Sequence, residues 1–316
     1  LLHAMPAEVK RGRRGWEVAI ATKSGLRHVR ACALVDCTGD ANLAALAGAK
    51  LRSHGEVQPG TLLCRASGYD MTRLNMTAIN RRFRQAVKRG ELLATDACWN
   101  TLAPTVSWLR KRGDNANHVA GSGAHRSEGR TEMELAARKS LLRLYRFLRQ
   151  QPGLEKLRVD WLASECGVRE TVTIAGENTV TLKDYVGGRL WDDAVCYSYY
   201  PIDLHVYGGG GLDLRPLPKG VLPTIPRGAL VPAGFDDLLV AGRCISSDRL
   251  ANSALRVQGT CMATGQAAGA MAALMGRTGC SAMDVPLAQL RALLRRHGAV
   301  VPDAVKPRKA GRRTKG

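Results

Sequence analysis

Residues 33–40 read ALVDCTGD. An apolar run ends in the carboxylate of Asp36, and Thr38-Gly39-Asp40 follow at once. Continuous apolar residues suit a strand buried on both faces, and small or polar residues after it suit a tight turn offered to a nucleotide. The glycine loop that normally precedes such a strand is missing. None of the 34 glycines falls in a G-x-G-x-x-G pattern.

Working outward, WEVAIAT (16–22) reads as a strand, Ser24-Gly25 as a turn, and 28–37 as a second strand that becomes buried toward its end. ANLAALAGA (41–49) reads as a short helix closed by Gly48. The same logic returns at LLVAGRCISS (238–247), where a short apolar strand ends in Gly242. It leads to TCMATGQAAGAMAALM (260–275), a helix of small residues with Gly265 and Gly269 four apart. Glycine inside a helix costs about 1 kcal/mol relative to alanine, so close approach by a backbone or ligand is the natural reason to keep it. Gly259 and Thr260 carry no bulk that would keep a flat, electron-accepting ring from the helix amides. On spacing alone, that reading and simple tight helix–sheet packing stand level.

Between these ends, 75–94 carries a basic helical pattern, and 131–150 reads as a helix. Thr131 and Glu134 fit a capping box, Leu135, Leu141, Leu142, Tyr145 and Leu148 form its apolar stripe, and Pro152-Gly153 stop it. The β-branched segment 168–182 reads as one or two strands. The aromatic strand within 195–215 runs into a glycine run, expected in a surface loop rather than in a phosphate cradle, since no helix start follows it.

Composition narrows the class. The 316 residues are 45% hydrophobic, enough for a sizeable core, and no uninterrupted apolar stretch approaches a bilayer span. The net charge of +20 invites a nucleic-acid reading. The basic residues are spread along the chain, however, and the one dense cluster (Lys306, Arg308, Lys309, Arg312, Arg313, Lys315) reads as a solvated tail open to non-specific anion contacts. Nine scattered cysteines with no C-x-x-C pair suit a reducing, cytoplasmic setting and give no metal or iron–sulfur ligand set.

Several blocks, in order, resemble the FAD-dependent oxidoreductase family that groups with the fumarate-reductase-like and glutathione-reductase-like flavoproteins. They are ALVDCTGDANLAALAGA, GEVQPGTLLCRASGYD, HVAGSGAHRSEGRTEMELAARKS, VRETVTIAGENTVTLKDYVGGRLWDDAV, SYYPIDLH, IPRGALVPAGFDDLLVAGRCISS and ALRVQGTCMATGQAAGAMAAL, spanning roughly residues 30–275. The resemblance implies an α/β, Rossmann-like FAD-binding domain interrupted by an α+β substrate domain. Residues 1–50 and 216–275 would form the FAD domain, 51–215 the substrate cap, and 276–316 a C-terminal helix and tail. It implies FAD as cofactor and hydride or electron transfer with a small molecule. Thr38, Gly39 and Asp40 would turn beside the diphosphate and adenosine half. Gly242, Arg243 and Cys244 would end the strand under the ribityl–diphosphate segment, with Arg243, where relatives often carry an acid, suited to a phosphate contact. Gly259, Thr260, Cys261 and Met262 would meet the pyrimidine edge of the flavin. Because the family opens on the absent glycine loop, the chain is expected to be a fragment lacking the front of its FAD domain.

For catalysis, His205 is the candidate proton donor or flavin contact, and Arg256 the candidate holder of a substrate carboxylate. His118 and His125 are expected in an exposed glycine-rich loop, and Arg169 and Glu170 in structural pairs. Two other classes stay open: a basic nucleic-acid-binding protein, and a flavoprotein-like scaffold without catalysis.

Overall fold

The structure is a computed structural model and describes residues 1–13, 15–99, 102–121, 123–206 and 211–303. Most of the glycine run after Tyr207 and the basic cluster at Lys306–Lys315 lie outside the described residues.

Strands β1 (Met5–Arg11), β2 (Trp16–Thr22) and β3 (Gly25–Ala31) form an antiparallel meander. Gly15, just before β2, turns at φ +79°, and a Cβ there would sit 2.2 Å from the Ala31 carbonyl oxygen, so only glycine fits. Trp16 anchors the meander, stacked on Phe235 (6.2 Å) and covered by the Arg11 guanidinium (3.9 Å). The expected single strand 28–37 is broken: β3 ends at Ala31 and β4 (Leu34–Asp36) begins a different sheet. The sheet change sends largely exposed β3 to solvent and β4 to the core.

After β4 come α1 (Asn42–Leu46), β5 (Leu51–Ser53) and β6 (Cys64–Ser67). Next are α2 (Met76–Lys88), capped by Asn75 Oδ1 on the Ala78 amide (2.9 Å), and α3 (Pro104–Lys111), with Pro at its first position. β7 (Gly113–Asp114), α4 (Ser127–Arg149) and β8 (Arg158–Leu162) follow, with β6 paired between β7 and β8. The expected cap of α4 is corrected: the helix starts four residues before Thr131, whose Oγ1 donates to the Ser127 carbonyl (2.8 Å) as a mid-helix residue. Glu134 pairs with Arg130 and Arg138 and accepts from the Cys166 amide (2.7 Å). The buried stripe is also shifted, to Met133, Ala137, Ser140, Leu144 and Leu148, while Leu135 (54%) and Leu142 (45%) are exposed. Leu148 of the expected stripe is buried, and Leu141 and Tyr145 pack against the core, so only Leu135 and Leu142 fall on the wrong face.

The chain continues through β9 (Val172–Ile174), paired with β5, and α5 (Leu182–Val186). Helix α5 carries the true capping box, Thr181 with Asp184. β10 (Ala194–Tyr197), the hairpin β11 (Ile202–Val206) and β12 (Gly211–Arg215), and β13 (Thr224–Pro226) come next. The last elements are β14 (Leu238–Val240), α6 (Arg249–Leu255), α7 (Gln258–Thr278) and α8 (Leu287–Arg296).

One apolar cluster joins Val180, Tyr185, Val195 and Ile202 to Leu239, Met271 and Leu290, so the segment from 180 to 202 packs with α7 and α8. A second lies among α2, α3, α4, β6 and β8, and a third joins β1, β2, β4, α1, β9 and β14. Among the described residues no helix is long and apolar enough to cross a membrane.

Candidate functional site

The two glycine-ended strands are neighbours. β4 and β14 pair in parallel, Leu34 with Leu238, Val35 with Leu239 and Asp36 with Val240, so both turns open at the same end. Ligands of open α/β sheets bind beyond such carboxyl ends.

Asp36 builds the first turn. Wholly buried, it accepts through Oδ1 from the Thr38 amide (2.8 Å) and hydroxyl (2.7 Å), and through Oδ2 from the Ala44 amide (2.8 Å). It thereby satisfies an amide of α1, whose own N-cap, Ala41, has no capping side chain. Gly39 adopts φ +79°, and a Cβ on it would lie 2.5 Å from Arg243 Nη1. The missing side chain lets the guanidinium lie over the turn, where Nη2 donates to Asp40 Oδ1 (2.7 Å). Asp40 Oδ1 also accepts from Thr171 Oγ1 (2.8 Å). Arg243 therefore stitches the two strand ends together, and its buried Nε has no partner among the described residues. Gly242 turns at φ +84° and donates its amide to Thr264 Oγ1 on α7 (3.2 Å).

Two cavities flank Arg243. One of about 280 Å³ is lined by Cys37, Gly39, Arg169, Gly242, Arg256 and Cys261. The other, about 760 Å³, runs along Asp40, Asn42, His125, Arg126 and Arg130; Thr38, Val168 and Arg243 line both.

The N-cap of α7, Val257, offers no capping side chain, and the first intrahelical bond runs from the Cys261 amide to the Val257 carbonyl (2.9 Å). The first-turn amides are left for solvent or a ligand, and Gly259 is exposed. Thr260 is turned inward, its Oγ1 bonded to Ser198 Oγ (3.0 Å), which bonds Tyr185 Oη (2.8 Å). The Cys261 thiol donates to the Arg256 carbonyl (3.2 Å), and burial raises its pKa. Met262 is 75% exposed. Cys244 is in the apolar core, donating to the Ala241 carbonyl (3.8 Å), and lines neither cavity.

On the other side, Arg256 Nη2 donates to Gln58 Oε1 (3.1 Å) and the Asp203 carbonyl (3.0 Å), and lies 3.5 Å from Asp203 Oδ2. Arg169 donates to the Pro59 carbonyl (2.7 Å), Thr61 Oγ1 (2.8 Å) and Asn115 Oδ1 (2.5 Å). Arg169 was legible only as a structural residue, yet it lines the cavity. Burial lowers both pKa values, that of Arg169 to about 10. Glu170 accepts from the Gln58 amide (3.0 Å) and lies 3.5 Å from Arg249; burial raises its pKa.

The placement of His118 is corrected. It is not in an exposed loop but 1% exposed, with its Nε2 3.0 Å from His205 Nδ1. His205 packs edge-on to Trp99, donates its backbone amide to Gln58 Oε1 (3.0 Å), and holds Nε2 3.8 Å from Asp203 Oδ1. Burial first, then the Arg169 charge, lowers the pKa of His118 to about 3 and of His205 to about 2. Both rings are neutral at ordinary pH. His125 lines the larger cavity.

The residues fit FAD on three counts: a glycine cradle at Gly39 and Gly242, uncapped amides at α7, and a buried guanidinium nitrogen of Arg243 without a partner. Comparison with family models matches residues 1–294 to FAD dependent oxidoreductase. No curated protein and no solved structure matches the chain. Neither the nucleic-acid reading nor the scaffold reading gains support from these findings.

Proposed function

The chain belongs to the FAD dependent oxidoreductase family, and from that premise we propose that the two cavities flanking Arg243 hold FAD and that the chain oxidises or reduces a small anionic molecule beside it. The mixed α/β architecture and the family's FAD dependence are the coarse frame. The observation that carries the finer reading is the parallel β4–β14 pair, with both glycine turns and, from α7, Cys261 and Gly265 on one cavity, while Gly259, Thr260 and Met262 lie outside its lining.

Bound FAD supplies two-electron chemistry at its ring. Thr38, Gly39 and Asp40 form the turn that would hold the diphosphate and adenosine half. Gly242 and Arg243 would hold the ribityl–diphosphate segment, with Cys244 packed in the core behind them. At the α7 start, Gly259 to Met262, the amides of Gly259 and Thr260 precede the first intrahelical bond, and with the positive end of the helix dipole they would favour negative charge on a ligand edge placed there. Arg256, held by Gln58 and Asp203, and Arg169, held by Thr61 and Asn115, present two buried guanidinium groups to one cavity. Asp203 offsets one of these charges, and the remaining positive charge suits a carboxylate of the substrate. His205, neutral and braced by Gln58, carries a proton at a ring nitrogen. The helices α2, α3 and α4, within the 51–215 stretch, serve as the substrate cap.

The test is titration of the full chain with FAD, followed by a screen of small carboxylates for reduction of the bound flavin or oxidation of its reduced form. The reading expects a bound flavin spectrum, and Arg256→Ala raising KM for the active carboxylate more than it lowers kcat. A chain that binds no FAD would refute it.

A further inference from the structure

His118 and His205 lie 87 residues apart in sequence, yet their ring nitrogens meet at 3.0 Å in the interior. Buried histidines usually bond to backbone or carboxylate groups. Here each ring faces the other, and His118 Nδ1 is buried with no partner among the described residues. The two ends of the pair lead to different places. Asp203 and His205 are two apart on β11 and so share one face of the strand. Asp203 reaches Arg256, which lines the 280 Å³ cavity. His118 lines a separate cavity of about 360 Å³, together with Thr95, Asp96, Lys139, Ser140 and Arg143.

We propose that His205 and His118 form a proton relay joining the Arg256–Asp203 side of the cofactor cavity to the 360 Å³ cavity beyond His118. The relay rests on the FAD reading above, since a dehydrogenated substrate gives up a proton besides the electron pair passed to the cofactor.

The step balances without a further reactant. At rest His205 carries its proton on Nδ1 and donates it to His118 Nε2, while His118 carries its own on Nδ1. The 3.0 Å contact requires one ring to donate to the other, and the transfer starts from this tautomer. An X–H bond of the substrate breaks, and its proton passes by way of Asp203 and one water bridging the 3.8 Å to His205 Nε2, where one N–H bond forms. The Nδ1–H bond of His205 breaks as a new bond forms at His118 Nε2, and the proton on His118 Nδ1, buried at rest, passes to a water that reaches it from the 360 Å³ cavity that His118 lines. One proton enters, one leaves, and both rings end neutral in the opposite tautomer. Ring neutrality is what such a transfer requires, and the surroundings enforce it. Arg169, Arg256 and Lys111 face His205 with positive charge, Asp203 is the facing carboxylate, and Trp99 and Gln58 close the remaining sides. Arg169 faces His118 as well.

The experiment uses the full chain with ¹⁵N-labelled histidines, with and without FAD. Ring nitrogen shifts read the tautomers, and hydrogen–deuterium exchange reads the access of the His205 ring proton to solvent. The expected result is two neutral rings sharing one N–H···N bridge. His118→Phe, which fills the space without a transferable proton, then slows exchange of the His205 ring proton by about a hundredfold, in the range a positioned acid–base group contributes. Imidazole added to His118→Ala restores the rate. Should His118→Phe fail to fold, the wild-type tautomers decide alone: a ring protonating near pH 6.5 overturns the relay. Unchanged exchange in a folded, FAD-bound His118→Phe overturns the relay while leaving the FAD reading intact. Failure of the chain to bind FAD overturns both.

Discussion

Gly39→Ala gives a quantitative test of how the two strand ends are joined. At φ +79° an alanine costs about 1–2 kcal/mol in left-handed strain. Its Cβ would also lie 2.5 Å from Arg243 Nη1 and 2.7 Å from Cζ, so the guanidinium must swing off the turn. That movement breaks the 2.7 Å bond to Asp40. A charge-assisted bond contributes about 1.5–3 kcal/mol, discounted to about 1–2 because both side chains retain some solvent contact. The total is about 2–4 kcal/mol. Gly242→Ala is the control. It has the same strain at φ +84°, but its nearest neighbour, Cys261 Sγ, is a comfortable 3.9 Å from the new Cβ. It should cost only about 1–2 kcal/mol. The assay is urea unfolding of both variants and of a cycle with Arg243→Ala. Without Arg243 the cost of Gly39→Ala should fall to strain alone, a coupling of about 1–2 kcal/mol. If Gly39→Ala costs the same with and without Arg243, the account of the turn is wrong.

Other expectations follow from single sites. Asp96 is buried and accepts from Ser140 Oγ, from the Leu93 amide and twice from Arg143, so Asp96→Ala should lower unfolding stability by about 3 kcal/mol, read as a shifted denaturant midpoint. Thr181→Ala removes a formed capping box and should cost about 1 kcal/mol. Thr131→Ala, mid-helix and exposed, should stay within about 0.5 kcal/mol in the same assay. The histidine pair sets a pH dependence. Unfolded histidines take up protons near 6.5, whereas the folded pair stays neutral to about 3 and about 2. The unfolded state therefore binds more protons in that window, and stability falls as pH drops below about 6.5. Denaturant midpoints at about pH 7 and about pH 5 should draw together in the double variant His118→Gln, His205→Gln; an unchanged gap would contradict the assignment.

Where local chemistry was self-contained, the sequence was readable. The apolar runs ending at Asp36 and at Gly242 announced β4 and β14, because a fully buried strand and a glycine turn need only neighbouring residues to show themselves. That the two strands pair was not readable, since it depends on a contact across about two hundred residues. Asp36 looked like the end of a strand, and its role as organiser of the turn depends on where the Ala44 amide lies. The α4 start slipped from Ser127 to Thr131 because Thr and Glu three apart fit a capping box wherever they stand, whereas tertiary partners of Glu134 decide its real use. His118 looked like a loop residue among glycines, and only the fold brings it to His205. No spacing rule in the sequence would have found that pair. Gly265 carried a partial signal: space is open around it, and it borders the 280 Å³ cavity.

The central claim is that the β4 turn, the β14 turn and the α7 start form one cofactor site. Amide hydrogen exchange of the full chain with and without FAD tests it most directly. The account predicts slowed exchange at three separated segments, residues 38–42, 242–244 and 258–262, with little change in the α2–α3 cluster. Bound FAD that protects none of these segments, or protects α2 and α3 instead, would contradict it.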